Sequence, residues 1–331
     1  MIKSKISVFV LSTLLFHPTY LLAQQNIDRE HGFSGDAFFG VGVVDSNGFL
    51  STVNEDPIED LQGDSPSGSE TIPFVIGRIT YTFEDTDQEA FLGISRQKAV
   101  RGSFAPEIGY RYHTGKHKFL EIAVLPGVQP SKVWEDPYLT GERRRETDAN
   151  LTAVRARAQH ILGPISLEAA YGTSEIDQER SGFFEDLLPD ERASLDRNST
   201  IRYVGVDLTI PLGEGFILIP SLFNFRTDAD GDAMSFDTYG GELGVVYRSG
   251  RHTLVGNFGY EQLDYDTENP LFASPREDNI SNIFAIYSFA EPFGFEDTSL
   301  TFILSNNSRV SDISFYEEES LVVGGGIRFI F

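Results

Sequence analysis

The chain has 331 residues, and its 50 Asp and Glu against 26 Lys and Arg give a formal net charge of −24. Nucleic-acid binding needs a basic face, so this balance argues against a nucleic-acid partner. The chain contains no Cys, which excludes disulfides as the device that holds the fold together.

The first residues have the pattern of a secretory signal peptide. Lys3 and Lys5 form a positive segment, residues 6–16 are mostly apolar, and Ala23 is a small residue suited to the cleavage site. The apolar run is shorter than the ~20 residues that a membrane-spanning helix needs. The sequence therefore predicts a signal peptide at residues 1–23 and a single domain at residues 24–331.

The rest of the chain repeats stretches of about ten residues in which apolar side chains alternate with small or polar ones, the pattern of transmembrane β-strands. In residues 33–44, for example, Phe33, Phe39 and Val41 share one face. The pattern predicts an all-β fold, a transmembrane antiparallel up-and-down β-barrel of about fourteen strands. Twelve strands is the alternative, because the pair at residues 90–112 has the least regular pattern.

The connections between these stretches alternate between long and short. Outer-membrane barrels have short periplasmic turns and longer outer loops, so a first strand that runs outward places every long connection outside the cell. The alternation predicts a location in the bacterial outer membrane. The long connections are residues 45–71, 128–149, 175–199 and 264–279.

The last predicted strand, residues 321–331, ends on the aromatic residue Phe331. Such an ending resembles the C-terminal strand that the outer-membrane assembly machinery recognises. We therefore expect that machinery as a partner, together with the bilayer and its lipopolysaccharide.

Four phrases of the sequence resemble a family of Gram-negative outer-membrane barrels that is known only as a domain of unknown function. The resemblance implies a barrel and implies neither a substrate nor catalytic residues. The phrases are residues 32–35 (GFSG), 134–141 (WEDPYLTG), 230–236 (DGDAMSF) and 315–320 (FYEEES).

Charged residues on the faces opposite the apolar ones are expected to point into the barrel, because a lipid-facing Arg near the bilayer midplane costs about 2–4 kcal/mol. They predict either a water-filled pore with charge selectivity or a salt-bridged interior that partly blocks the barrel. The predicted lumen residues are Asp36, Arg78, Glu107, Arg111, Glu121, Arg155, Arg157, Glu168, Asp207, Arg226, Glu242, Glu261 and Arg328.

Arg155 and Arg157 form the sharpest feature of this set. Two residues apart on a strand, they share a face roughly 6.6 Å from one another. They could attract anions as a rung, or each could pair with Glu121 or Glu168 on a neighbouring strand.

The outer loops are acidic, and residues 45–71 hold seven Asp and Glu and no Lys or Arg. Clustered carboxylates can bind divalent cations, so such ions are candidate partners. Asp228, Asp230 and Asp232 alternate as in a calcium loop. However, Ala233 and Tyr239 stand where an EF-hand needs Gly and a bidentate Glu.

The sequence does not predict an enzyme or a cofactor. His31, His113, His117, His160 and His252 all fall at predicted periplasmic ends, where none can serve an outward-facing acid–base site. The sequence also has no G-x-S-x-G motif, glycine-rich phosphate loop or zinc-ligand spacing.

Two functions remain open after these observations. The first is a porin-like passive channel for ions or small polar solutes, which rests on the strand number and the polar inner face. The second is a structural or surface-interaction barrel with a closed, salt-bridged interior and acidic outer loops.

Overall fold

The computed structural model describes residues 29–63, 65–85, 87–94, 106–127 and 131–331. The predicted signal peptide, residues 1–23, lies outside the described residues. Within the described ranges, no helix is both long enough and apolar enough to cross a membrane.

Fourteen antiparallel strands follow one another around a single sheet. Two of them, β5 and β8, consist of two segments each, because both segments pair with the same following strand. The strands are β1 Gly32–Gly48, β2 Ser67–Thr82, β3 Gln88–Ile94, β4 Pro106–His113, β5 Phe119–Pro126 and Ser131–Trp134, β6 Glu146–Leu162, β7 Ile165–Ile176, β8 Ser199–Leu208 and Ile210–Gly213, β9 Phe216–Ala229, β10 Phe236–Ser249, β11 His252–Tyr265, β12 Glu277–Ala290, β13 Thr298–Ser311 and β14 Glu318–Ile330.

The sheet closes because β1 pairs with β14 over thirteen residue pairs, from Asp36 opposite Ile330 to Gly48 opposite Glu318. The backbone of Phe331 extends this pairing with two hydrogen bonds to Gly35, of 2.7 and 3.1 Å. The fourteen-stranded barrel is thereby confirmed. The twelve-strand alternative is wrong, because β3 and β4 are both paired strands of the wall.

Side chains alternate between an apolar exterior and the lumen along each strand. On β1, Phe39 and Val41 are exposed on the outside, whereas Phe38 and Val44 are buried on the inside. Large exposed apolar side chains recur around the whole circumference. A surface of this kind is stable only against lipid, so the barrel sits in a bilayer, and its architecture is that of the outer membrane.

The four connections predicted to be long lie at one end of the barrel. The long connections at residues 49–66, 135–145, 177–198 and 266–276 all lie at the end we assign to the outside. Two further outer connections, 230–235 and 312–317, have six residues each. The connections hold a five-residue helix, Pro189–Ala193, and three short 3-10 turns, Asp232–Met234, Pro292–Gly294 and Ser314–Tyr316.

Inward-facing glycines line the seam between β1 and β14, where Gly40 pairs with Gly326 and Gly42 with Gly324. A Cβ on Gly326 would lie only 2.1 Å from the carbonyl oxygen of Phe39. Because that atom belongs to the backbone, it cannot move aside cheaply. The seam therefore requires glycine at this position.

We predict that Gly326→Ala lowers the free energy of unfolding by about 1–3 kcal/mol, the usual range for overpacking. Gly256→Ala is the matched control, because a Cβ there would meet its nearest atom only at 4.0 Å. Urea unfolding of the refolded barrel in lipid vesicles measures both variants. Equal losses of stability in the two variants would contradict this account of the seam.

Candidate functional site: lumen and outer cap

The structure places twelve of the thirteen predicted lumen residues on the inner face of the wall. Nine of them are less than a tenth exposed, among them Glu107, Arg157 and Asp207. Arg78, Arg111 and Arg328 are also inward and are 13–20% exposed in their side chains. The inward residues are Asp36, Arg78, Glu107, Arg111, Glu121, Arg155, Arg157, Glu168, Asp207, Glu242, Glu261 and Arg328.

Arg226 is the exception, and its assignment to the lumen is wrong. On β9 the inward side chains are Phe223 and Phe225, so Arg226 faces outward. It contacts Asp228, Asp237 and Asp266 at 2.8, 3.2 and 2.5 Å. The residue lies at the outer end of its strand, beyond the lipid-facing surface, so the cost of an Arg in lipid does not apply there.

Five charged residues of alternating sign form a row across β3 to β7, in the order Glu89, Arg111, Glu121, Arg157 and Glu168. Direct cross-strand pairing places each beside the next. Arg111 lies 3.1 Å from Glu89 and 2.6 Å from Glu121, and Arg157 lies 2.9 Å from Glu168. We call this row, with the further partners described next, the ionic ladder.

Arg155 and Arg157 extend the ladder to neighbouring levels of the wall. Arg155 lies 3.1 Å from Glu107 and 2.6 Å from Glu121, while Arg157 also contacts Asp207 at 2.9 Å. The two side chains are 3% and 0% exposed. They are thus paired with carboxylates, which is the second of the two interpretations offered above. The full ladder is Arg78, Glu89, Glu107, Arg111, Glu121, Arg155, Arg157, Glu168 and Asp207.

Glu89 and His113 also line this part of the lumen, although neither is among the predicted lumen residues. The Nε2 atom of His113 lies 3.2 Å from a carboxylate oxygen of Glu89. Glu89 alternates in phase with Phe91, which is buried on the inner face. This alternation with Phe91 was the pattern that could have identified Glu89 as an inward residue. Because β3 is short, however, its sequence alone does not show which of its two faces points into the lumen.

The opposite side of the lumen is largely apolar. Phe38, Phe74, Phe284 and Ile303 belong to one buried cluster that spans β1, β2, β12 and β13. The inner wall therefore includes an apolar stretch as well as the charged ladder, and only the charged residues were predicted from the sequence.

Above the lumen, side chains from six outer connections meet in one buried apolar cluster, which we call the outer cap. The six connections start from strands all around the ring. Loops that start on opposite sides can share one core only if they meet over the opening, so the cap covers the outer mouth. Its buried members are Phe49, Ile58, Tyr138, Leu195, Ala233, Met234, Ile313, Phe315 and Tyr316.

Phe315 lies at the centre of the cap and is fully buried. Its ring centroid lies 5.0 Å from that of Phe49, 5.2 Å from Tyr138 and 5.6 Å from Phe272. Aromatic pairs at such distances contribute about 0.5–1.5 kcal/mol each beyond the area they bury. Phe315 therefore joins four connections that are far apart in the sequence.

Polar contacts fix the cap as well. The hydroxyls of Tyr138 and Tyr316 are 2.6 Å apart, and the side-chain amide of Asn269 donates to the Tyr316 hydroxyl at 2.7 Å. Burial raises the pKa of Tyr138 well above its ordinary value, and Tyr316 raises it further. Burial also raises the pKa of Tyr316. Both phenols are therefore held neutral.

Asp136 and Arg144 anchor the β5–β6 connection beneath the cap. The Asp136 carboxylate accepts backbone N–H bonds from Tyr138 and Gly182, each of 3.0 Å. Arg144 donates to the carbonyl oxygen of Phe49 and lies 4.4 Å from the ring centroid of Trp134. Burial lowers the pKa of Arg144 to about 10. These contacts tie three connections together.

The proposed calcium-type carboxylates do not converge in the structure. Asp228 contacts Arg226 and Arg202 at 2.8 and 2.9 Å. Among the residues that the structure describes, no group of three or more His, Cys, Asp or Glu side chains could hold a metal ion.

A family model described as "Protein of unknown function (DUF2860)" matches residues 32–330. No curated protein matches the chain. Among solved structures, the chain is similar to the outer membrane channel DcaP of Acinetobacter baumannii (9% identity, 91% of this chain, 98% of that chain, TM-score 0.43). It is also similar to the anion-selective porin from Comamonas acidovorans (11%, 90%, 98%, TM-score 0.39) and a TodX monoaromatic hydrocarbon channel mutant (11%, 91%, 90%, TM-score 0.45). These identities are too low to transfer a solute from any of them.

We predict that Glu121→Gln destabilises the barrel by about 3–5 kcal/mol, because it leaves two buried arginines without their shared carboxylate. Asp148→Asn is the matched control. It removes a pair with Lys132 whose side chains are about a third exposed, so its effect should stay below about 1 kcal/mol. Urea unfolding in vesicles measures both, and a Glu121→Gln effect no larger than the control would show that the ladder is not structurally important.

A second prediction concerns pH. Tyr138 has a raised pKa in the closed cap, so the stability that its neutral phenol contributes to the cap is fully present below the ordinary tyrosine value of ~10 and is lost as the pH rises above it. The single Trp, Trp134, lies buried at the base of the cap. Acrylamide quenching of its fluorescence should therefore increase above about pH 10, and less so in Tyr138→Phe. Quenching that is independent of pH, or equal in both proteins, would contradict the assignment.

Proposed function

We propose that this chain, which belongs to the DUF2860 family, is a gated outer-membrane channel for small polar solutes. One observation carries the proposal, namely that six outer connections share one apolar core above a lumen lined by charged and polar side chains. A lumen of this chemistry suits water and polar solutes. In this conformation the cap closes the outer mouth of the barrel.

The packing of the cap supports gating rather than permanent closure. The buried members of the cap all lie in connections and not in strands, so the cap can open without breaking the backbone hydrogen bonds of the barrel wall. Loops and lids usually come from the less stable part of a protein. The ionic ladder occupies the wall below the cap and supplies the charges that a passing solute would meet.

The second candidate function is a structural barrel that never opens. The ionic ladder favours it, because the ladder's arginines and carboxylates are nearly all engaged with one another. The two candidates differ in one observable, which is whether loosening the cap produces ion conduction.

The partners of the barrel follow the same proposal. We infer that the assembly machinery recognises the last strand, whose final residue, Phe331, is 60% exposed. The acidic outer loops would meet divalent cations and lipopolysaccharide, as the sequence suggests.

The proposed function predicts the single-channel behaviour of two variants. Wild-type barrel refolded into a planar bilayer should conduct only in rare events. Phe315→Ala removes the central ring of the cap, a change of about 3–5 kcal/mol in a packed core, and should open the channel at least about tenfold more often.

Phe184→Ala is the matched control, because Phe184 is an outer-loop aromatic that is 58% exposed. It should conduct as wild type does. Heat modifiability on a gel checks that all three proteins are folded. Absence of steps in both wild type and Phe315→Ala would move the conclusion to the structural barrel. A wild type that is permanently open would show that the cap does not gate.

A further inference from the structure

The carboxyl group of Glu318 is buried at the base of the outer cap. Glu318 is the first residue of β14 and directly follows the connection that carries Phe315. It pairs with Gly48, the last residue of β1, and a Cβ on Gly48 would lie 2.9 Å from the Cγ atom of Glu318. Gly48 in turn precedes Phe49, whose ring stacks on that of Phe315. The Glu318 side chain therefore lies between the two segments that bring these rings together.

Hydrogen bonds from the described residues do not compensate the burial of this carboxyl group. Glu318 is only 4% exposed, and neither of its carboxylate oxygens has a hydrogen-bond partner within the described part of the chain. Moving a charged carboxylate from water into such a place is strongly unfavourable, whereas the protonated acid is tolerated. The closed cap therefore favours the neutral form of Glu318.

Arg309 is the charged residue opposite Glu318 on the neighbouring strand β13. Its guanidinium lies 3.5 Å from the carboxylate of Asp278, which Arg276 also contacts at 2.5 Å. On the β1 side, Gly48 contributes no titratable group. The positive charge of Arg309 is thus shared with Asp278, so it offsets the burial of Glu318 only in part.

Glu318 lies above the lipid-facing band, at the outer rim of the barrel. Beyond the apolar Leu321, the outer face of β14 carries the exposed Glu319, whose partner on β1 is the polar Asn47. Burial raises the pKa of Glu318 to about 7, and the charge of Arg309 limits the rise. The carboxyl group therefore changes its charge near neutral pH in the closed cap, whereas a hydrated glutamic acid does so near ~4.3.

We propose that Glu318 is a proton-operated latch, which holds the outer cap closed while its carboxyl group is protonated and loosens the cap once the proton leaves. The inference deepens the proposed gating and rests on it. When the cap opens, water reaches the carboxyl group, the O–H bond breaks, and the proton passes to water while the carboxylate stays on the protein. Because the closed cap binds this proton more tightly than the open cap, closure is most stable below about pH 4.3 and weakens as the pH rises to about 7.

Hydrogen exchange of the full-length barrel in vesicles reads the opening of the cap without relying on conduction. The amide of Gly141 donates to the carbonyl oxygen of Ile58 and so joins two connections of the cap. Its protection factor is the exchange rate of an unstructured amide divided by its own rate at the same pH. We expect this factor to fall by at least about tenfold between about pH 4.5 and about pH 7. The opening frequency in a planar bilayer should rise over the same range.

Glu318→Gln is the central variant, because it keeps the shape of the protonated acid and cannot ionise. The protection factor of Gly141 should then be independent of pH in this range. Glu318→Met is a second variant with an apolar side chain of similar length and the same expected result. Glu319→Gln is the matched control, because Glu319 is the next residue of β14 and is exposed, and it should respond to pH as wild type does.

Three results would overturn the proposal. They are a wild-type protection factor that does not change with pH, a response like that of wild type in both Glu318 variants, and the loss of the response in Glu319→Gln. A change of protection that depends on Glu318, together with no conduction at either pH, would leave the latch standing and remove the channel.

Discussion

Backbone hydrogen bonding in a lipid bilayer is the constraint on which the rest of this structure depends. Every N–H and C=O of a strand in hydrocarbon must be paired, so the sheet has to close, and it closes through the full-length pairing of β1 with β14. Closure divides each strand into a lipid face and a lumen face. Charged side chains in the bilayer region are thereby forced into one enclosed space, where they must find one another.

The ionic ladder follows from that confinement. Burying a charge without a partner is strongly unfavourable, whereas a paired and hydrogen-bonded charge is tolerated. In the ladder, Glu121 lies 2.6 Å from both Arg111 and Arg155, and the other members are joined in the same way. The rest of the inner wall carries the apolar cluster of β1, β2, β12 and β13 and further charged residues such as Glu242 and Glu261.

Closure of the wall leaves the two ends of the barrel open, and the outer loops cover the outer end. Three of the four phrases that carry the family resemblance supply cap residues: Tyr138, Met234 and the pair Phe315 and Tyr316. Those phrases are therefore explained by the packing of loops over the mouth and not by the strands.

Much of the fold could be predicted from the sequence, because alternation along a strand is a local pattern. The same pattern gave the inward position of Arg155 and Arg157, and their pairing with Glu121 and Glu168 was one of the two interpretations that it left open. It failed at Arg226, because a pattern of period two does not show where a strand leaves the bilayer. The cap could not be predicted, because Phe49, Tyr138 and Phe315 meet only in three dimensions and share no sequence period.

The central claim is that the outer loops form one closed unit that opens together. Hydrogen exchange of the full-length barrel in vesicles tests it most directly at amides that join different connections, such as Gly141 bonded to Ile58 and Ala233 bonded to Ser194. The account predicts that these amides are protected, share one opening free energy and lose protection together in Phe315→Ala. Exchange as fast as in the turn at residues 214–215, or independent exchange in each connection, would contradict it.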